Sequence, residues 1–308
     1  MAARQIFVVV GAGLAAAQAV QELREAGFDG HIVLYGEEAH LPYERPPLSK
    51  EYLMGRDHFA SALVHPREWY RDHDIDLRLG RRVTTIDPVA RTVTAGRSRQ
   101  EYDKLLLVTG ARPRHLPMAD ESGAPTTYLR TVEDCDRIKS LLGNDRRLVI
   151  VGGGWIGLEV AAAARMAGAQ VTVLEALDLP LIRVLGPEVA AIFASLHTAR
   201  GVDLRVEAKV ASIKGDEGVA IVHLSDGSRI EADLLVVGIG AVPETGLGRT
   251  AGCEQTTASW WINTCAPPSS TSTRRETWRT STTHCSADIS AWSIGTTRSG
   301  KAYSQRRT

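Results

Sequence analysis

Cysteine is almost missing from the orderly part of this sequence. Of 308 residues, the first 252 hold only Cys135, while Cys253, Cys265 and Cys285 all follow. One thiol in a body of that size leaves no disulfide framework and fits a reducing compartment. No two cysteines stand at CxxC or CxxxxC spacing, so no redox-active dithiol is expected. An excess of one charge is missing too, since 36 basic side chains meet 36 acidic ones. Chains that bind nucleic acid usually carry a basic excess, so nucleic acid is not expected as a partner. No apolar run reaches the roughly 18 residues that a membrane helix needs. The opening MAARQIFVVVGAGLAAAQAV sets an Arg before an apolar run, as a signal peptide does, but it continues into the charged QELREAG. A soluble, cytoplasmic chain without membrane contact is expected. His31, His40, His58, His65 and His73 show no metal-ligand spacing, and no metal is expected.

Glycine, by contrast, is concentrated in two similar openings. The length suits two domains of roughly 100–150 residues each. In IFVVVGAGLAAAQAVQELREAG a β-branched run turns on Gly11-Ala12-Gly13 and continues as a helix, so Gly11, Gly13 and Ala16 fit G-x-G-x-x-G/A. The first glycine makes the tight turn, the second lets a pyrophosphate approach the backbone, and the small third residue packs helix on strand. The helix N-terminus adds unpaired N–H groups and about half a positive charge. The next strand, HIVLYGEE, brings Glu37 to where a ribose hydroxyl would sit. The pattern recurs in RLVIVGGGWIGLEVAAAARMAGAQVTVLEA, where Gly152, Gly154 and Gly157 have the full spacing and Trp155 and Ile156 lie between them. Its second strand ends in Glu175, 18 residues beyond Gly157. A carboxylate there accepts both ribose hydroxyls and repels a 2′-phosphate, so NADH is expected over NADPH. Two dinucleotide sites in one chain suggest a hydride or electron relay between a resident cofactor and an exchanging one.

Between them lies LPYERPPLSKEYL. From the residues alone, Pro46-Pro47 breaks the strand pattern and LSKEYLMG resumes as a short helix capped by Ser49. Yet Arg45-Pro46-Pro47-Leu48-Ser49-Lys50, with both glycine turns, closely resembles the FAD-dependent, NADH-oxidising ferredoxin reductases of the putidaredoxin reductase and rubredoxin reductase type, distantly like apoptosis-inducing factor. In YDKLLLVTGARPR, Thr109, Gly110, Arg112 and Pro113 resemble the family's Thr-Gly-x-x-Pro segment. GGGWIGLE resembles its NADH turn and ends in Glu159, while DLLVVGIGAVPET, with Gly238, Gly240 and Pro243, resembles its return segment. The likeness runs from about residue 5 to about residue 250.

The resemblance implies an α/β fold of two Rossmann-like, three-layer ββα domains, with the NADH domain inserted in the FAD domain. Residues 1–114 and 241–252 would form the FAD-binding domain and residues 115–240 the NADH-binding domain. It implies FAD on Gly11, Gly13, Ala16, Glu37, Arg45 and Lys50, and NADH on Gly152, Gly154, Trp155, Ile156, Gly157 and Glu175. Thr109, Gly110, Arg112, Gly238 and Gly240 belong to the same implied cofactor-binding set. Lys50 and Glu159 would pair beside the flavin, Glu159 in the first turn of its helix, where the dipole favours a carboxylate. The implied activity is electron transfer from NADH through FAD to a ferredoxin- or rubredoxin-type iron–sulfur protein. Two alternatives stay open: an NADH-binding remnant without electron transfer, and a non-catalytic flavin redox sensor.

The last 56 residues differ in kind. Residues 253–308 hold 22 Ser and Thr, four of the six tryptophans, 7 basic against 3 acidic side chains, and no Leu, Val, Phe or Met. No helical or strand period survives, so no packed core is expected there. A low-complexity linker fits four tryptophans poorly, and a shifted reading frame fits better. Read one frame over, the codons for Gln255–Ile262 permit Asn-Asp-Gly-Ile-Val-Val-Asp. Those for Ser272–Arg279 permit Tyr-Ala-Ala-Gly-Asp-Val-Ala, and those for Ala291–Arg298 permit Val-Glu-His-Trp-Asp-Asn-Ala. All three resemble family segments in family order. As written, the chain lacks those segments and is expected to hold flavin weakly. The visible spectrum of the purified chain checks this: stoichiometric flavin carried through purification would contradict it.

Overall fold

The computed structural model describes residues 4–252, and the expectations for residues 253–308 lie outside that range. The chain opens with β1 (Ile6–Val10), α1 (Leu14–Glu25) and β2 (His31–Tyr35). After a long loop come α2 (Arg67–Asp72), β3 (Ile75–Arg78), β4 (Val83–Asp87), β5 (Thr92–Ala95), β6 (Ser98–Glu101) and β7 (Lys104–Leu107). A connecting stretch holds β8 (Ala111–Pro113), α3 (Pro117–Asp120), β9 (Thr126–Thr127) and α4 (Val132–Ser140). The second βαβ unit is β10 (Arg147–Val151), α5 (Trp155–Met166) and β11 (Gln170–Leu174). It continues through α6 (Ile182–Ala199), β12 (Asp203–Arg205), β13 (Val210–Asp216), β14 (Val219–Leu224), β15 (Arg229–Ala232) and β16 (Leu234–Val237). β17 (Ala241–Pro243) and α7 (Gly246–Thr250) complete the described elements.

The strands build the same plan twice. A parallel sheet of order β3-β2-β1-β7 is accompanied by the antiparallel β4-β5-β6, and a parallel sheet of order β12-β11-β10-β16-β9 by the antiparallel β13-β14-β15. The central strands IFVVV and LVIV are continuous apolar runs because both of their faces are covered. In the first unit Val9 packs with α1 through Ala16 and Val20, while Val8 and Val10 pack with Val83, Ile86 and Val93 of the antiparallel sheet. In the second, Ile150 faces Leu158 and Ala161 of α5, and Val149 and Val151 face Ile213, Ala220 and Val222. Each parallel sheet thus lies between helices and an antiparallel sheet, an α/β fold of ββα layers. Among the described residues no helix is long and apolar enough to cross a membrane.

The proline pair behaves differently from the sequence reading. A 3₁₀ helix starts on Pro46 itself and ends at Ser49, with turns following to Gly55. Proline suits a helix's first positions because its missing N–H would have no partner there. Ser49 ends that helix and does not cap one.

α6 carries a fold-level pH dependence. His197 is 8 % exposed near its C-terminal end, and burial, then the charge of Arg200, lowers its pKa. A depressed imidazole pKa means that the unfolded chain binds the proton more readily, so stability falls as pH drops below about 6.5. Urea unfolding between pH 7.5 and 5.5 is expected to show a shallower pH dependence for His197→Asn than for the parent chain.

Candidate functional site

The two glycine turns divide their labour by position. Gly11 has φ +119, and a Cβ there would lie 2.1 Å from the Val108 carbonyl oxygen. Gly152 has φ +108, and its Cβ would lie 2.4 Å from the Gly238 oxygen. Both are required by the next strand's close approach. Gly157 meets a different wall, since its Cβ would fall 2.1 Å from the Gly152 oxygen, which sets how closely α5 approaches the turn. Ala16, fully buried, occupies the corresponding place on α1. Gly13 and Gly154 are the open positions: a Cβ would meet nothing within 4 Å at Gly13 and only the Gly238 oxygen at 4.0 Å at Gly154. Each is the N-cap of its helix with no side-chain capping bond; in α1 the Ala16 N–H bonds the Gly13 carbonyl, and the N–H groups nearer each cap suit an anion.

The two residues after Gly154 point apart. Trp155 packs edge-on against Phe193, with centroids 5.6 Å apart, and its buried indole N–H has no partner among the described residues. Ile156 is 43 % exposed. The acids also differ. Glu175 directly follows β11, and its two oxygens accept from the N–H groups of Gly153 (2.7 Å) and Leu177 (2.9 Å). The residue directly after β2 is Gly36, whose Cβ would lie 2.7 Å from that of Ala12. The acid therefore comes one position later, at Glu37, which is 63 % exposed and paired with Arg82 at 2.6 Å.

Between the units, Lys50 Nζ lies 2.9 Å from Glu159 Oε1, and the Ser49 hydroxyl donates to Glu159 Oε2 at 2.5 Å. Glu159 is the fifth residue of α5, beyond the first turn that the sequence reading assigned it. Lys50 and Ser49 fix its place, and the helix dipole, which acts within the first turn, contributes little. Arg45 binds Glu38 at 2.6 Å, donates to the Tyr43 hydroxyl and reaches the Arg130 carbonyl. Tyr43 donates in turn to Glu38, and burial raises its pKa. Beside this cluster the Arg130 guanidinium makes no hydrogen bond or ion pair among the described residues. Burial, then the charge of Arg45, lowers its pKa to about 10. Its Nη2 would lie 3.4 Å from a Cβ at Gly110. Arg130 is partly buried, and Tyr43 and Glu38 of the cluster attract its charge without touching it. Arg130 belongs to no motif, and nothing in the sequence singles it out.

Thr109, Gly110, Arg112 and Gly240 come together where the two crossings between units run side by side, while Gly238 lies against Gly152 and Gly157 at the second glycine turn. β8 and β17 pair antiparallel, with Arg112 opposite Val242. The Thr109 hydroxyl donates to the Glu244 carbonyl at 2.5 Å, Gly110 accepts from Glu244 N–H, and Gly240 accepts from Arg114 N–H. Arg112 lies 3.5 Å from the Glu244 carboxylate, partly exposed. Cys135, the one cysteine among the described residues, is buried and donates to the Leu48 carbonyl, and burial pushes its thiol up to about 12. Such a thiol is inert at neutral pH.

The glycine geometry separates stability from binding. Gly157→Ala is expected to destabilise the chain by about 1–3 kcal/mol through overpacking, and Gly13→Ala by much less. Denaturant titrations of the two variants beside the parent check the contrast.

The sequence profile of the pyridine nucleotide-disulphide oxidoreductases matches residues 6–262. A "5,5'-dehydrodivanillate O-demethylase ferredoxin reductase subunit" from a Sphingobium species is 42 % identical over 242 residues, covering 78 % of this chain and 59 % of the relative. A "Rubredoxin-NAD(+) reductase" from Pseudomonas putida is 39 % identical over 251 residues, covering 80 % and 65 %. The crystal structure of a covalent putidaredoxin reductase–putidaredoxin complex superposes with a TM-score of 0.78 at 38 % identity, covering 82 % of this chain and 63 % of that one. The chain thus spans less than two thirds of each of these relatives. With both glycine turns inside the matched region, this chain belongs to the pyridine nucleotide-disulphide oxidoreductase family.

Proposed function

We propose that the chain carries the nucleotide-binding part of a flavoprotein reductase that passes electrons from NADH through FAD to a ferredoxin- or rubredoxin-type iron–sulfur protein. The observation that carries this reading is the Ser49–Lys50–Glu159 contact, which joins one nucleotide-binding unit to the other. Residues 1–114 and 241–252 form the FAD-binding domain in this reading, and residues 115–240 the inserted NADH-binding domain. The residues fit FAD: the cradle at Gly13 is open, and the partly buried Arg130 guanidinium has no hydrogen bond or ion pair among the described residues. The α1 N-terminus would hold its pyrophosphate, Glu37 its ribose, and Arg45, Lys50 and Arg130 would face its anionic portions. NADH would bind across Gly154, Trp155, Ile156 and Gly157, with Glu175 on the adenosine ribose. Bound FAD supplies the conversion between the two-electron chemistry of a nicotinamide and the one-electron chemistry of an iron–sulfur centre. Glu159 orients the Lys50 ammonium, and Ser49 holds Glu159, so a fixed positive charge stands ready at the junction.

The partner class draws on relatives named for ferredoxin and rubredoxin and on the complex with putidaredoxin. The inert Cys135 supports it from the other side, because a disulfide reductase of this family would need a reactive thiol pair. The deciding assay supplies FAD and NADH with either a ferredoxin or a small disulfide. Slow ferredoxin reduction that rises with added FAD is expected, and turnover of the disulfide alone would refute the reading. NADH is expected to outperform NADPH, because Glu175 repels a 2′-phosphate.

Arg130→Met separates cofactor binding from stability. Losing a charge-assisted contact is expected to weaken FAD binding about tenfold or more, read by flavin-fluorescence titration. The flavin-free protein is expected to lose no stability in urea, because the partly buried guanidinium makes no hydrogen bond or ion pair that the change would break.

A further inference from the structure

The outer face of α6 lacks what a surface helix usually carries. From Val189 to Ala199 the chain reads VAAIFASLHTA, a run without a single charge. A helix lying on a domain normally turns charged side chains to solvent, opposite its apolar stripe. The inner face of α6 buries Ala190 and His197 and sets Phe193 against Trp155. On its outer side Val189, Ile192 and Leu196 are 40 %, 65 % and 45 % exposed. Their spacing of three and four places them on one stripe. The helix that joins the equivalent strands of the first unit is α2, and it turns Arg67, Glu68, Arg71 and Asp72 outward instead. β12 ends its sheet, so α6 stands at the margin of the second unit.

The stripe has a second regularity, which says what covers it. Glu188 precedes the uncharged run and Arg200 follows it, both exposed. Neither side chain makes a hydrogen bond or an ion pair among the described residues. Ala194 lies midway between them in the sequence. Ile192 and Leu196 stand equally far on either side of Ala194, and so do Val189 and Ala199. A two-fold axis beside Ala194 would set two α6 helices antiparallel. Ile192 would then meet the partner's Leu196, Val189 the partner's Ala199, and Glu188 the partner's Arg200, each contact occurring twice. The apolar side chains would fill the centre and the opposite charges would close both ends, as at other interfaces between proteins.

We infer that the Val189–Ala199 face of α6 is an interface between two copies of this chain, joined antiparallel about Ala194. One helix pair buries little area, so the dimer is expected to form and dissociate reversibly. The test is sedimentation equilibrium on the full chain over a range of concentrations, with far-ultraviolet circular dichroism to follow the fold. A monomer–dimer equilibrium is expected for the parent. Ile192→Asp is expected to weaken it about tenfold or more, because it sets a carboxylate in the apolar centre of the contact. Glu188→Arg and Arg200→Glu each bring like charges together at both ends, and each is expected to weaken dimerisation several-fold. The double variant exchanges the charges and is expected to recover the parent's dimerisation. All three positions are exposed, so the variants are expected to keep the parent's dichroism.

A parent chain that stays monomeric throughout the range would overturn the inference and leave the face to a different protein. Dimerisation that Ile192→Asp does not change would overturn it as well, by placing the contact elsewhere on the surface. Single charge reversals without effect, or a double variant as weak as either single one, would refute the antiparallel pairing about Ala194. Recovery in the double variant would support that pairing directly, because a general effect of either substitution on folding would add and not cancel.

Discussion

Backbone pressed against backbone at the glycine turns is the contact on which the rest of this structure depends. Gly11 lies against the Val108 carbonyl and Gly152 against that of Gly238, at distances that admit no Cβ. That closeness lets a parallel strand end, turn and start a helix within four residues. The helix N-terminus then opens onto the carboxyl edge of the sheet, where unpaired N–H groups suit a phosphate. The buried strands, the covering antiparallel sheets and the acids at the next strand ends all serve this geometry. A side chain at either glycine would push the neighbouring strand away and separate sheet from helix.

A second layer of organisation joins the two turns. The loop from Glu38 to Gly55 leaves the first unit and reaches elements beyond it. Lys50 and Ser49 meet Glu159 of α5, Leu48 accepts from Cys135 of α4, and Tyr52 binds Asp136 of the same helix. Arg45 reaches back to Glu38 and forward to the backbone at Arg130. Exposed ion pairs stabilise little. Lys50 and Glu159 are only 32 % and 20 % exposed and share Glu159 with a hydroxyl donor, which favours orientation more than raw stability. Arg130 is the opposite case, a partly buried cation that feels Glu38 at a distance but makes no ion pair among the described residues.

The internal repeat shows how one plan yields two different sites. Backbone hydrogen bonds correspond, Gly11 to Tyr35 as Gly152 to Leu174 and Gly36 to Arg78 as Glu175 to Arg205, so the loops run alike. Side chains then set the difference: Gly36 and Glu37 in one unit, Glu175 and Ala176 in the other. Moving the acid by one position brings the second carboxylate onto the Gly153 N–H and leaves a cavity beside Ala176, where the first unit pairs Glu37 with Arg82. A shift of one residue at a strand end redirects the side chain, because successive residues of an extended chain face opposite ways.

Much of this was legible in the residues alone. Both strand–turn–helix openings, the acids after the second strands and the small residue at position 16 follow from local spacing, which short-range sterics make readable. The pairing of Lys50 with Glu159 was readable only through family likeness, since 109 positions separate them and no period links them. The sequence reading misjudged two details: the helix starts on Pro46, because proline suits a first helical position, and Glu159 lies beyond the first turn, because α5 already begins at Trp155. The sequence by itself determined where backbone could come close and where helices begin, since missing side chains and apolar periods act over a few residues. Only the tertiary structure decided that Arg130 is a partly buried cation without an ion pair among the described residues and that a cavity lies beside Ala176. Burial and empty space are properties of segments far apart in the chain, and they exist only once those segments have packed.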